Sequence, residues 1–265
     1  MYNVVSKGND EHREASSQEA NGEPRSAAEW VRVRLGFEPD RAQERVLTSP
    51  RKRGLLNCTR QWGKSTVAAA KAVHHGLTRG ESLTLVVSPS ARQSGEFLRK
   101  AAGFAQRLGM KVKGDGDNEM SLEFPNRSRI VGLPGREATV RGFSAVSLLL
   151  VDEAARVSDE LYHAMRPMLA VSDGALWLMS TPFGKRGFFY EAWRRGGPDW
   201  ERVRVPADEC PRIPRAFLAE ERETMGERWF RQEYLCEFVD SVSGVFERDL
   251  VEEAITEDVE PLRIG

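Results

Sequence analysis

Cysteine is scarce in this chain. Three thiols, Cys58, Cys210 and Cys236, are spread over 265 residues. They are too few and too scattered for a disulfide framework or a zinc knuckle, which fits a reducing compartment. Long apolar runs are missing as well. No stretch of about 18 apolar residues occurs, which excludes a membrane-spanning helix. No apolar segment follows a basic start at the amino terminus, so a secretory leader is not expected. A surplus of one charge is also lacking: 39 basic residues oppose 40 acidic ones, for a net charge of -1. That excludes a uniformly basic nucleic-acid coat, and any DNA contact must come from a local patch. No internal repeat is visible. What remains is 40% hydrophobic and 30% charged, enough for a sizeable core under a solvated surface. At roughly 100–200 residues per domain, the length allows one large domain, alone or with a small appendage.

Residues 1–26 are polar and without periodicity and are expected to form a mobile tail. Helical patterns follow over 27–35 and after Asp40, which can cap a helix carrying Ala42, Val46 and Leu47 until Pro50 ends it. From Gly54 the chain alternates. Strands are expected at 54–57, 83–87, 129–133, 147–151 and 175–179. Helices are expected at 64–77, 92–108, 161–169 and 188–195. The turn-rich segment 114–118, between 110–113 and 121–124, reads as a hairpin. Short, nearly all-apolar strands separated by helices predict an α/β fold with a central, mainly parallel sheet covered on both faces. After Asp199 a strand at 202–205 leads to helices around 216–223 and 227–234. The expected organisation is a tail (1–26), a core (27–198), a small C-terminal subdomain (199–246) and an acidic end (247–265).

Two motifs carry chemistry. Cys58-Thr59-Arg60-Gln61-Trp62-Gly63-Lys64-Ser65-Thr66 follows an expected strand and opens an expected helix. Its Gly-Lys-Ser end matches the phosphate-loop pattern, with Cys58 in place of the first glycine. A turn entering a helix aims free backbone N–H groups at an anion. Gly63 permits close approach, Lys64 reaches terminal phosphates, and the Ser65 hydroxyl can ligate Mg²⁺. The second motif, Leu148-Leu149-Leu150-Val151-Asp152-Glu153, is an apolar strand ending in two acids. In a parallel sheet ligands gather at the carboxyl ends of strands. Asp152 there would hold Mg²⁺, and Glu153 would polarise an attacking water as general base.

With these residues in view, the chain resembles the large terminase subunits of tailed bacteriophages. Arg60 to Thr66 is similar to their altered Walker A motif, in which the arginine is usual and the first glycine absent. Val151-Asp152-Glu153-Ala154-Ala155 resembles their Walker B motif. Ser180-Thr181-Pro182-Phe183-Gly184 and the segment up to Trp193 resemble their coupling motif. The likeness covers roughly residues 30–246, the ATPase half of such proteins. It implies an ASCE-type P-loop NTPase with a small C-terminal lid, binding ATP and Mg²⁺. It also places Gln43 on the adenine edge, whose donor and acceptor an amide can match. Arg141 falls where these motors carry an arginine finger, with Arg136 its nearest rival. Arg60 would sense the γ-phosphate or brace the loop. The Ser180 and Thr181 hydroxyls would bond the water or Glu153 and report phosphate loss.

The resemblance further implies a motor that drives double-stranded DNA into a procapsid. It would act in the cytoplasm of the infected bacterial host, as a homo-oligomeric ring (a pentamer in the family) docked on the portal protein beside the small terminase subunit. The family's nuclease half would carry a metal-binding acid cluster. Glu252, Glu253, Glu257 and Asp258 lie too near the end to be framed by such a sheet, so no nuclease activity is expected here. The acidic end reads as a tail or as a truncated linker. Two other readings stay open: a helicase-like, DNA-dependent translocase, and a nucleotide-binding assembly module without turnover. His74, His75 and His163 are expected to be structural, the aromatic run Phe188, Phe189, Tyr190 and Trp193 to pack in the core, and Cys58 to be chemically incidental.

Overall fold

A strand that is apolar on both faces is stable only between two layers of helices. Residues 148–151 are such a case, and alternate side chains enter two separate cores. Leu148 and Leu150 join the cluster under the amino-terminal helices. Leu149 and Val151 join the cluster on the opposite face. The computed structural model describes residues 24–111, 120–135 and 142–240. Within these, helices α1 (Ala27–Leu35) and α2 (Arg41–Thr48) precede strand β1 (Arg53–Cys58). Then come α3 (Lys64–Thr78), β2 (Leu83–Ser88), α4 (Ala91–Arg107), β3 (Ser121–Glu123), β4 (Arg129–Pro134) and β5 (Val146–Asp152). They are followed by α5 (Asp159–Met165), β6 (Ala175–Ser180), α6 (Gly187–Arg195), β7 (Trp200–Val205), α7 (Arg215–Met225) and α8 (Glu227–Glu233).

The strands form one sheet in the order β3-β4-β2-β5-β6-β1-β7. All neighbours are parallel except β3 and β4. Strand β6 therefore lies between β1, which leads into the phosphate-loop segment, and β5, which ends in the acids. That extra strand defines the ASCE arrangement of P-loop NTPases, so the expected fold class is the observed one.

Local chemistry explains the element boundaries. The Ser26 hydroxyl accepts from the Glu29 N–H at the start of α1. Asp40 and Gln43 form a reciprocal capping box on α2. In α4, Phe97, Leu98, Ala101, Phe104 and Ala105 repeat at helical spacing and are all buried. In α3, Ala68, Ala69, Ala70 and Ala72 are buried, and small side chains let that helix lie close on the sheet.

Strands β3 and β4 form a hairpin, with Ser121 opposite Val131. Its turn is Pro125-Asn126-Arg127, where Asn126 Oδ1 accepts from the Ser128 N–H at 3.2 Å and Arg127 takes a left-handed φ of 63°. The hairpin expected around 114–118 lies outside the described residues. Two expectations need correction. Strand β7, grouped by sequence with the C-terminal subdomain, is instead the edge strand of the sheet, paired with β1. The helix expected over 161–169 splits into α5 and a 3₁₀ turn, Arg166–Leu169, with Pro167 at its start. No helix among the described residues is long and apolar enough to cross a membrane.

Gly54 and Trp177 are register partners on β1 and β6, and a Cβ on Gly54 would sit 2.2 Å from the indole. Trp177 is itself fully packed, with Lys71 Nζ 4.4 Å from its ring centroid. Overpacking a filled core costs about 1–3 kcal/mol. Gly54→Ala should lower the denaturant midpoint by an amount at the top of that range. An unchanged midpoint would contradict the packing of Trp177 over the β1 backbone.

Candidate nucleotide site

The carboxyl ends of β1, β5 and β6 come level with one another. Asn57 pairs with Ser180, and Asp152 with Met179. Each strand delivers one part of the site there. From β1 the chain turns through Thr59 to Gly63 and enters α3. Gln61 and Gly63 take positive φ values of 64° and 97°. At Gly63 a Cβ would also approach Gln43 Nε2 to 3.2 Å, so glycine is required twice over. No side chain caps α3, and an uncapped helix start leaves its first backbone N–H groups without intrahelical partners, the arrangement that favours an anion.

Lys64 folds back across the loop, donating to the carbonyls of Cys58 at 2.7 Å and Thr59 at 3.0 Å. The Ser65 hydroxyl donates to Asp152 Oδ2 at 3.1 Å, and Asp152 Oδ1 accepts from the Glu153 N–H at 3.0 Å. Burial, with the neighbouring Glu153 charge, raises the Asp152 pKa above the usual carboxylate value; Lys64 and Ser65 act against that shift. Glu153 has a left-handed φ of 49°, which turns it out of the strand. Its carboxylate accepts from Arg156 Nη1 at 3.0 Å and from the Ser180 hydroxyl at 3.4 Å.

A cleft of about 490 Å³ runs along the loop, lined by Arg60 to Thr66, Gln43 and Glu153. Its size falls in the range of small-molecule sites. Asp152, Ser180 and Thr181 are buried and stand behind the cleft, connected to it through Ser65 and Glu153. Gln43 is buried too. Its Nε2 donates to the Trp62 carbonyl at 3.1 Å and its Oε1 accepts from the Asp40 N–H at 3.0 Å. A primary amide has two protons and two lone pairs, so one of each is left for another partner. The Trp62 indole packs in the core, and this residue reaches the cleft through its backbone. Arg60 braces the loop through an ion pair with Glu233 Oε2 at 2.7 Å. Arg141, its rival Arg136 and the acids of the 247–265 segment lie outside the described residues.

Several residues escaped the sequence reading. Arg156 links Glu153 to Glu233 Oε1 at 3.0 Å. Arg212 Nη2 donates to Asp40 and to the Trp62 carbonyl. Phe37 and Lys100 complete the wall. Only Arg156, three positions after Glu153, left a local trace. The bland residues stay bland. Burial pushes the Cys58 thiol up and the Cys236 thiol up to about 12, so neither is reactive. His75 is bonded to the Ser147 hydroxyl, and burial, aided by Arg79 and Lys71, lowers it to about 4. His74 packs edge-on against Trp30. Phe188, Phe189 and Tyr190 are buried.

Residues 55–253 match the family model described as the large terminase subunit, T4likevirus-type, N-terminal. The chain belongs to this terminase family. The large terminase subunit of Thermus virus P23-45 is 28% identical over 247 residues, covering 80% of this chain and 51% of that protein. The large subunit from Escherichia phage T5 is 24% identical over 201 residues, covering 73% and 45%. This terminase chain thus spans about half the length of the curated relatives it matches. Among solved structures, the large terminase ATPase domain of Thermus phage P74-26 superposes with a TM-score of 0.72 at 26% identity, covering 81% of this chain and 99% of that one. The HK97 bacteriophage large terminase shares the fold, with a TM-score of 0.67 at 18% identity over 82% and 54%.

The raised Asp152 pKa has a consequence for stability. A carboxyl whose pKa is higher in the fold than in the unfolded chain stabilises the fold below its ordinary pKa of 3.8, and that contribution is lost as pH rises through the raised value. Asp152→Asn should therefore raise the melting temperature at neutral pH, with the gain vanishing below pH 3.8. A lower melting temperature at neutral pH would contradict the buried-charge account.

Proposed function

We propose that this chain is the ATP-hydrolysing motor domain of a terminase large subunit, powering the movement of double-stranded DNA into a procapsid. The observation that carries the reading is the Ser65–Asp152 hydrogen bond, set beside a cleft that Lys64 and Glu153 both line. A hydroxyl from the phosphate loop and a carboxylate from the next strand but one meet where a phosphate-bound metal would need them. The family supports it, as does the fold shared with the P74-26 ATPase domain.

Lys64 would exchange its two loop carbonyls for terminal phosphate oxygens, and the first-turn amides of α3 would cradle the same group. Gln61, Trp62, Gly63 and Thr66 contribute the shape of that cradle and its backbone donors. Gln43 would read the adenine edge with its remaining proton and lone pair. Glu153 would take the proton from the attacking water, oriented by Ser180, while Thr181 lies behind it. Arg60 would approach the γ-phosphate if released from Glu233.

Ser65 and Asp152 suit Mg²⁺. They are hard oxygen donors, and this ion is held by one or two protein oxygens together with substrate phosphates and water. Among the described residues no larger cluster of His, Cys, Asp or Glu competes for that role. The ion would neutralise charge on the phosphates. Everything else is positioning and electrostatics without a covalent intermediate.

Arg141 would act as an arginine finger, supplied within the chain or by a neighbour in a homo-oligomeric ring, pentameric as in the family. The ring would sit on the portal protein with the small terminase subunit, in the cytoplasm of the infected bacterial host. The near-zero net charge suits a motor that must release DNA every cycle, provided that its basic residues face the channel.

Lys64→Ala should abolish phosphate release. Glu153→Gln should retain the affinity for ATP and lose about 10²–10⁴-fold in turnover, the usual contribution of a general base. Binding isotherms paired with steady-state phosphate release check both variants. Equal loss of binding and turnover in Glu153→Gln would argue against its role as base.

A further inference from the structure

The C-terminal helices are held to the sheet chiefly by polar contacts. Among its eleven residues α7 buries none, and the small apolar cluster of this region is Ala207, Phe230 and Tyr234. What ties α8 down lies at its end. The Glu233 carbonyl accepts from the Thr59 hydroxyl at 3.2 Å, and the next turn gives the Cys236 carbonyl to Asn57 Nδ2 at 2.9 Å. The Glu233 carboxylate goes further. Its side chain is only 8% exposed, yet it is charged. Oε2 accepts from Arg60 Nε at 2.7 Å and from the Thr181 hydroxyl at 3.3 Å. Oε1 accepts from Arg156 Nη2 at 3.0 Å. Burial works against the ionised form, but Arg60 and Arg156 outweigh it and hold the pKa low.

Arg156 is the shared element. Its Nη1 is 3.0 Å from the Glu153 carboxylate while its Nη2 is on Glu233. One guanidinium is therefore divided between the acid of the cleft and a buried acid on the C-terminal helix. Its cationic pull on Glu153 depends on how much of it Glu233 takes.

We propose that Glu233 is a positioning residue: through Arg156 it sets the placement of the Glu153 carboxylate, and through Arg60 it ties the same helix to the phosphate loop. The seating of α8 and the competence of the cleft are then one event. With α8 seated, Arg156 is shared and Arg60 is held. With α8 displaced, Arg156 keeps only Glu153 and Thr181 as partners and draws the Glu153 carboxylate toward itself, while Arg60 is freed. A purely structural Glu233 would instead fasten the helices and leave the chemistry untouched. This inference rests on the hydrolase reading above.

The test compares Glu233→Gln, Arg156→Gln and the double variant with the wild-type chain. It uses phosphate release for kcat and KM, and titration with a slowly hydrolysed ATP analogue for affinity. Glu233→Gln should lose about 10–100-fold in kcat, as removal of an orienting partner commonly does, a loss larger than any change in the dissociation constant that the freed Arg60 brings. The double variant removes one charge of each sign, so it remains balanced even if the single one does not fold. Its kcat should equal that of Arg156→Gln, because Glu233 reaches Glu153 only through Arg156, while its tie to Arg60 fastens the helix to the loop. Unchanged kcat in Glu233→Gln, a loss carried by KM and affinity, or a double variant as weak as the product of two single losses would each overturn the proposal. Absence of wild-type turnover would overturn the hydrolase reading with it; full turnover in Glu233→Gln would overturn this inference alone.

Discussion

The hydrogen bond between Ser65 and Asp152 joins the end of β5 to the first turn of α3, the helix that follows β1, a strand β5 does not touch. Strand β6 lies between β1 and β5, so the bond exists only if three strands end level and the loop after β1 curls back over β6. The parallel register supplies the level ends. Apolar side chains on both faces of β5 and β6 hold that register, because a slip by one residue would move each side chain to the wrong core. The chemistry of the cleft is therefore anchored in the packing of the sheet. Asp152, Ser180 and Thr181 are buried at these strand ends, and only Arg60 and Gln61 of the loop stand exposed.

Such burial has an electrostatic cost, and the site meets it with partners. Asp152 has the Ser65 hydroxyl and a backbone amide. Glu153 has Arg156 and Ser180. Glu233 has two arginines and a threonine. A buried charge without such partners would be strongly destabilising. Where the partners are shared, as at Arg156, the arrangement can also be shifted, since moving one acid changes the field at the other.

Much of this was legible in the sequence, for identifiable reasons. Gly63-Lys64-Ser65 and the run from Leu148 to Glu153 are contiguous, and their chemistry depends on local geometry that any strand-to-helix turn or strand end provides. The parallel sheet followed from strands without a polar face. What the sequence concealed depends on distance along the chain. Arg60 and Glu233 lie 173 residues apart, and Arg212 and Trp62 lie 150 apart. Neither pair has a spacing that announces contact. The β3–β4 hairpin went unread because Pro125-Asn126-Arg127 carries a weaker turn signal than the Gly- and Asp-rich stretch at 114–118. Strand β7 was separated from its sheet because the polar residues of Trp200–Val205 resemble an appendage; an edge strand has one neighbour and tolerates them.

All of this comes down to whether one triphosphate sits where Lys64, the Ser65–Asp152 pair and Glu153 meet. The most direct measurement is a crystal structure of the chain with Mg²⁺ and a non-hydrolysable ATP analogue. The account predicts the terminal phosphates on the first-turn amides of α3, Lys64 Nζ moved from the Cys58 and Thr59 carbonyls onto phosphate oxygen, and the γ-phosphate facing Glu153. A nucleotide bound elsewhere, or one bound with Lys64 still on those carbonyls, would contradict it.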